Sequence, residues 1–227
     1  MLIDNHNRTI NYLRLAVTDR CNLRCKYCMP EKGIDFADSD RLFTIGELSR
    51  LSHILVDLGI EKIRITGGEP FVRKDLMTLL RNLTRIGGLK TISVTTNGTL
   101  IGDHIDELKR LGIKNVNVSL DAMNREIFEK ITRRDGFDTV FGNLTRLISE
   151  EFNVKINFVV LKEQNISEII PMLSLTRHHN VDVRYIEEMP FNGGSKTFHT
   201  IEWDYHRILE HIKTAYPDVE KIPSTKP

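Results

Sequence analysis

Residues 91–120 read TISVTTNGTLIGDHIDELKRLGIKNVNVSL and hold one complete repeat of the fold. Thr91–Thr95 reads as a strand. From about Ile101 to Leu111 the apolar residues recur at helical spacing, and Gly112 closes the helix. Asn115–Leu120 is a second strand. Asn97-Gly98 between them would be a strong hairpin turn elsewhere. Here a helical pattern follows it, so the two strands are joined by a crossover and run parallel.

The same unit recurs on both sides. Upstream, Tyr12–Val17 reads as a strand and Thr44–Leu58 as a helix, with Thr44 and Glu47 as a capping box and Gly59 as its stop. Lys62–Thr66 is a strand and Lys74–Arg85 a helix. Downstream come helices near Arg125–Ile131 and Phe137–Glu150, a strand Val154–Leu161, a helix Ser167–His178 and a strand Val183–Glu187. Strands alternating with helices predict an α/β fold with a parallel sheet. Right-handed crossovers curl it toward a barrel or leave it an open doubly wound sheet. Six units fall short of a full barrel, so residues 1–190 are expected to form a partial (β/α)6 TIM-type barrel. After Met189-Pro190 the pattern changes. Phe191–Thr200 reads as a loop and Trp203–Ala215 as a helix, so 191–227 is expected to be a linker and the beginning of a C-terminal extension.

Composition sets outer bounds. Of 227 residues, 32 are Lys or Arg and 31 Asp or Glu, a net charge of +1. That balance argues against bulk nucleic-acid binding. No apolar run approaches the length of a membrane span, and Met1–Arg8 lacks the apolar stretch of a signal peptide. A cytoplasmic chain with neither a nucleic acid nor a membrane as partner is expected.

All three cysteines fall in Cys21-Asn22-Leu23-Arg24-Cys25-Lys26-Tyr27-Cys28, a C-x3-C-x2-C spacing directly after the first strand. A disulfide framework would spread its pairs across the fold. Three thiolates on one short loop can hold three corners of an iron–sulfur cubane and leave the fourth iron open to a ligand. Two other readings stand beside it. Zinc could recruit His6 or His53 as a fourth ligand. Or the cysteines could be core residues on one helical face, against which the polar Asn22, Arg24 and Lys26 argue.

The strands carry a separate signal. Buried parallel strands read as nearly continuous apolar runs, yet Arg14, Arg64 and Arg184 interrupt three of them. Lys155 and Asn157 alternate with Ile156 and Phe158, and Asn117 and Ser119 with Val116 and Val118. Residues two apart share a face. One face is therefore apolar and the other polar and cationic. Buried cations need partners. Glu69, Asp121 or Glu187 could supply them within the chain. Alternatively the four cations converge on an anionic substrate, and arginine suits a polyphosphate.

Several motifs occur together in order. They are Leu15–Cys25 with Cys28 after an aromatic residue, Ile63–Pro70 with its Gly67-Gly68-Glu69-Pro70, Thr95–Gly98 and Val118–Asp121. This set resembles the radical S-adenosylmethionine (SAM) superfamily and, within it, the GTP 3′,8-cyclases of molybdenum cofactor biosynthesis, over about Arg8 to Pro190. The resemblance implies that Cys21, Cys25 and Cys28 hold a 4Fe–4S cluster whose open iron chelates SAM. It implies SAM contacts at Tyr27, Gly68, Ser119 and Met189. It assigns GTP contacts to Arg14, Arg64, Thr95 and Lys155, to which the sheet pattern adds Arg184. No catalytic side chain beyond the cluster and SAM is implied. The implied reaction is a lyase-type cyclisation. A 5′-deoxyadenosyl radical takes the ribose 3′ hydrogen of GTP, and the ribose radical attacks C8 of guanine to give 3′,8-cyclo-GTP.

The sequence also departs from that family, whose members carry a second cluster on three further cysteines in their C-terminal part. No cysteine follows Cys28. The expectation is therefore a form truncated before that domain, with one cluster, retained SAM binding, and an exposed barrel mouth that favours a homo-oligomer. Flavodoxin or ferredoxin is the expected electron donor. Two other functions fit part of the pattern: a non-catalytic metal-binding domain, and a radical SAM enzyme of another subclass, against which the cationic strand interior argues.

Overall fold

The computed structural model describes residues 2–30, 33–38, 41–189 and 202–222. It opens with a short antiparallel pair, β1 (Leu2–Ile3) and β2 (Thr9–Ile10). The order after it is β3 (Tyr12–Ala16), α1 (Ile45–Asp57), β4 (Lys62–Thr66), α2 (Leu76–Leu83), β5 (Thr91–Thr96), α3 (Ile105–Arg110) and β6 (Asn115–Ser119). Then come α4 (Arg125–Thr132), α5 (Phe137–Ser149), β7 (Asn153–Val160), α6 (Ile169–His178), β8 (Val181–Glu187) and α7 (Tyr205–Ala215).

β3 to β8 form one parallel sheet in strictly sequential order. A doubly wound sheet reverses its order at a switch point, so that alternative is excluded. Unbroken sequential order with right-handed crossovers keeps the helices on one side. The sheet also curls. In a flat sheet β4 and β8 would stand about 19 Å apart, yet Arg184 on β8 is near enough to disfavour the charge on Arg64 of β4. The result is a partial (β/α)6 barrel.

Strand alternation sorts the two faces. Leu15, Ile65, Val94, Val116, Val154 and Val181 stand in one register row and are all buried. They face the helices, which contribute Leu48 and Val56 from α1, Leu79, Leu80 and Leu83 from α2, and Val140, Leu144 and Leu147 from α5. Helix starts follow local chemistry. Thr44 and Glu47 form the capping box of α1, and Asn124 and Asp204 cap α4 and α7.

Three local expectations shift. The helical pattern from Ile101 begins as a 3-10 turn over Ile101–His104, and the one from Ser167 as a 3-10 turn over Ile166–Glu168. Starting α6 at Ile169 puts Pro171 in its first turn, where a missing N–H costs nothing. The β1–β2 hairpin was not foreseen, because two-residue strands show no period. Its turn is held by the Asp4 carboxylate, which accepts from His6 N, Arg8 N and Arg8 Nε. Phe191–Thr200 and the boundary at 190/191 lie outside the described residues. Among the described residues no helix is long and apolar enough to cross a membrane.

Candidate active site at the carboxyl ends of the strands

The cysteine loop leaves the carboxyl end of β3, where parallel α/β folds gather ligands. Its backbone is pinned to the end of α4: Arg24 N donates to Thr132 O (2.9 Å) and Lys26 N to Ile131 O (3.0 Å). Arg133, in the left-handed region at φ 55°, closes α4 and donates from Nη1 to Arg24 O and Met29 O. A tight turn brings Cys28 N and Met29 N onto Cys25 O.

The loop after β4 docks on the same segment. Gly68 N donates to Thr18 O (2.7 Å) and Glu69 N to Arg20 O (2.8 Å). A Cβ on Gly67 would stand 2.4 Å from Thr18 O, and one on Gly68 2.2 Å from Arg20 O. Both glycines are thus required by backbone packing on backbone. The fully buried Glu69 side chain carries the tie onward, accepting from Phe71 N (3.1 Å), Thr96 Oγ1 (2.8 Å) and Asn97 N (2.6 Å). Asn97 returns it to the cysteines. Its Nδ2 donates to Asn22 Oδ1 (2.8 Å) and points at Cys21 Sγ (3.7 Å), while its Oδ1 accepts from Thr99 N and Thr99 Oγ1. The sequence offered Glu69 only as an ion-pair partner for the strand cations and gave Asn97 no role; the chemistry of both is visible only once three loops meet.

The loop after β6 supplies the last wall. Asp121 accepts from Tyr27 OH through Oδ2 (2.8 Å) and from Val159 N through Oδ1 (2.8 Å). Its carboxylate does not cap the helix that follows; Asn124 does. Burial raises the Asp121 carboxyl to about 6 and pushes the Tyr27 hydroxyl well above its ordinary range.

The barrel face of the sheet is polar by register. Arg14 on β3 pairs with Arg64 on β4, and Arg64 with Ser93 on β5. Thr95, Asn117, Lys155 and Asp182 form one row, and Ser119, Asn157 and Arg184 another nearer the carboxyl ends. Lys62 lies on this face as well, two residues before Arg64; the same alternation would have found it. Among the described residues none of the three acids expected as internal partners pairs with a cation: Glu69 and Asp121 are taken as described, and Glu187 accepts from Tyr205 N. Lys155 instead pairs with Asp182. Among the described residues Arg14, Arg64 and Arg184 form no ion pair. Burial, and then the charges of Arg184 and Arg14, lower the Arg64 pKa despite help from Tyr12. Arg14 and Arg184 are exposed, so the expected cost of burying unpaired charge does not arise for them; at the half-buried Arg64 it shows as the lowered pKa. The face is open at Arg14 and Arg184, while Ser93 and Asn117 on it are buried.

Of the residues singled out for SAM, Tyr27, Gly68 and Ser119 border this carboxyl-end bowl. Met189 lies two residues beyond β8, 58% exposed, in a groove with Tyr185, Tyr205, Ile208 and Ile212 of β8 and α7.

The donor chemistry fits an iron–sulfur cluster. Burial raises all three thiols, Cys25 to about 12, and the Glu69 and Asp121 carboxylates add to it at Cys21 and Cys25 respectively. Thiolate at these positions calls for a strongly cationic group beside it. The Asn97 amide is aimed at a sulfur, as hydrogen bonds to cluster thiolates are. Among the described residues no three His, Cys, Asp or Glu side chains converge as they would on a single ion. The histidines considered for zinc are placed elsewhere: His53 pairs with Asp57 on the exposed side of α1, and His6 lies in the β1–β2 turn, where its backbone N–H donates to Asp4.

Residues 15–176 match the Radical SAM superfamily. The chain is 42% identical over 227 residues to "GTP 3',8-cyclase" of Peptoclostridium acidaminophilum, covering 99% of this chain and 68% of that protein. It is 41% identical over 225 residues to "Molybdenum cofactor biosynthesis protein 1" of Dictyostelium discoideum, covering 97% of this chain and 35% of that one. Among solved structures, Streptococcus suis SuiB bound to S-adenosylmethionine shares the fold with a TM-score of 0.70 at 18% identity, over 91% of this chain and 48% of SuiB. The chain thus spans between about a third and two thirds of these proteins.

Proposed function

This chain belongs to the radical SAM superfamily and, within it, to the GTP 3′,8-cyclase family, and from that premise we propose that it binds a 4Fe–4S cluster, SAM and GTP for the cyclisation of GTP to 3′,8-cyclo-GTP. The observation that carries this reading is the arrangement of one bowl: three thiols on a pinned loop at the carboxyl ends, above a cationic strand face whose Arg14, Arg64 and Arg184 form no ion pair among the described residues.

Cys21, Cys25 and Cys28 would hold the cluster. When bound, cluster and SAM supply a carbon-centred radical that can take a hydrogen atom from the substrate's ribose. The Gly68 N–H is already engaged with Thr18 O, so the backbone group left to meet an amine is its carbonyl oxygen. Tyr27, held through Asp121, would flank SAM, with Ser119 on the neighbouring strand and Met189 beyond β8. Arg14, Arg64 and Arg184 present guanidinium groups suited to bidentate phosphate contacts, joined by Thr95 and Lys155. Phosphate at the cations and radical chemistry at the carboxyl ends would orient the ribose toward the thiols. A reductant of the flavodoxin or ferredoxin type would deliver the electron.

The test is 5′-deoxyadenosine release from SAM by the anaerobically reconstituted, dithionite-reduced chain, with and without GTP. Release stimulated by GTP is expected. No release at full iron and sulfide content would overturn the reading.

A further inference from the structure

Asn117 sits in the middle of β6 with its side chain on the polar barrel face, in register between Thr95 of β5 and Lys155 of β7. It is 3% exposed. Its Nδ2 is buried and, among the described residues, has no hydrogen-bond partner. Buried amide N–H groups without acceptors are rare, and each one weakens the fold unless something else supplies the acceptor. The strand itself has no need of an asparagine here. Val116 and Val118 on either side show what a central parallel strand prefers, and the ladders to β5 and β7 use main chain only. The surroundings define the missing acceptor. The neighbours in the row offer a hydroxyl and an ammonium, and the carboxylate of Asp182 is already taken by Lys155. Arg64 lies one register row deeper, beside Ser93.

We propose that Asn117 is a substrate-binding residue whose Nδ2–H donates to a phosphate oxygen of the nucleotide between Thr95 and Lys155. This rests on the GTP reading above and adds a neutral donor to its cations. Such a donor reads the position of an oxygen and contributes little long-range attraction, so it sets where the phosphates stop along the face.

The experiment is isothermal titration of the reconstituted full chain with GTP and with inorganic tripolyphosphate, for wild type, Asn117→Leu and Asn117→Val, together with urea midpoints without ligand. Both variants are expected to bind either ligand about tenfold more weakly or worse, with urea midpoints equal to or above wild type, because an orphaned donor has been removed. Unchanged affinity in the variants would overturn the role of Asn117 alone. So would a lower midpoint in both, since the amide would then be holding the fold. Weakening confined to GTP would overturn the assignment to phosphate. A wild-type chain loaded with iron and sulfide that binds neither ligand would overturn the GTP reading, and this inference with it.

Discussion

At the carboxyl ends of β3, β4 and β5 three loops are tied to one another by buried groups, while the barrel face of the same sheet presents five cations, on β3, β4, β7 and β8, with one carboxylate among them. In the first region buried groups bind one another, although Asp19 Oδ1 has no partner among the described residues: Glu69 alone binds three donors from two loops. The second leaves Arg14, Arg64 and Arg184 without ion pairs among the described residues, and the Asn117 amide without an acceptor. A site that must hold a rigid inorganic group needs pre-set geometry, which internal bonds provide. A site that must admit and release a polyanion needs donors left free. Substitutions at the tied end should therefore be read as losses of stability, and those on the open face as losses of binding.

The sharpest way to break this contrast is Gly68→Ala. The new methyl would stand 2.2 Å from the Arg20 carbonyl oxygen, and a backbone atom cannot turn aside as a side chain would. The turn must lift off the cysteine segment, at an expected cost of about 3 kcal/mol or more. Urea unfolding and iron content after reconstitution should both fall. Wild-type values for both would show that the two loops are not rigidly docked.

Glu69→Ala comes next. It strands Phe71 N, Thr96 Oγ1 and Asn97 N without their acceptor, and about 2–3 kcal/mol of stability should be lost. Glu69→Gln should cost less, because one oxygen still serves Phe71 and Thr96 and only the bond to Asn97 N meets a like donor. Equal midpoints for the two variants would mean that the negative charge, not the acceptor geometry, holds the loops.

On the open face the sign changes. Arg64→Gln removes a cation flanked by two others, so stability should move by less than about 1 kcal/mol. GTP affinity should fall about 10- to 100-fold, the range for a hydrogen bond between charged groups. Titration calorimetry beside urea unfolding separates the two. A large stability loss with intact binding would place Arg64 with the tied region instead.

The same contrast explains what the sequence could show. Strand and helix order follows from local periodicity, so Lys62–Thr66 was bounded correctly and Asn97-Gly98 was rightly denied a hairpin. The cysteine spacing and the cationic face were equally local, one a count and the other an alternation. The ties were not. Glu69 meets Thr96 and Asn97 27 and 28 residues later, and Tyr27 meets Asp121 94 residues later. No period marks such pairs, so the docking of Gly68 on Thr18 and Arg20 was not legible in the sequence. Burial is hidden in the same way. Asn117 and Asn157 read alike in sequence, but only Asn117 is closed off from solvent.

Asp121 tests the tied end without adding bulk. Its carboxyl has an ordinary value of 3.8 and rises to about 6 in the folded chain, because burial outweighs the bonds from Val159 N and Tyr27 OH. A raised acid pKa means the folded state holds the proton more firmly than the unfolded state. Stability must then fall as pH rises from the unfolded value through about 6, and level off above it. Between pH 5 and pH 7 the expected loss from this group is about 1 kcal/mol. Asp121→Asn keeps an oxygen for Val159 N and cannot ionise, so the iron-free variant should lose this part of the slope and be the more stable of the two at pH 7. Urea midpoints of iron-free wild type and variant at both pH values decide it. Parallel slopes would mean that the carboxylate is ionised at no cost, and that this wall of the bowl is wetter than its hydrogen bonds imply.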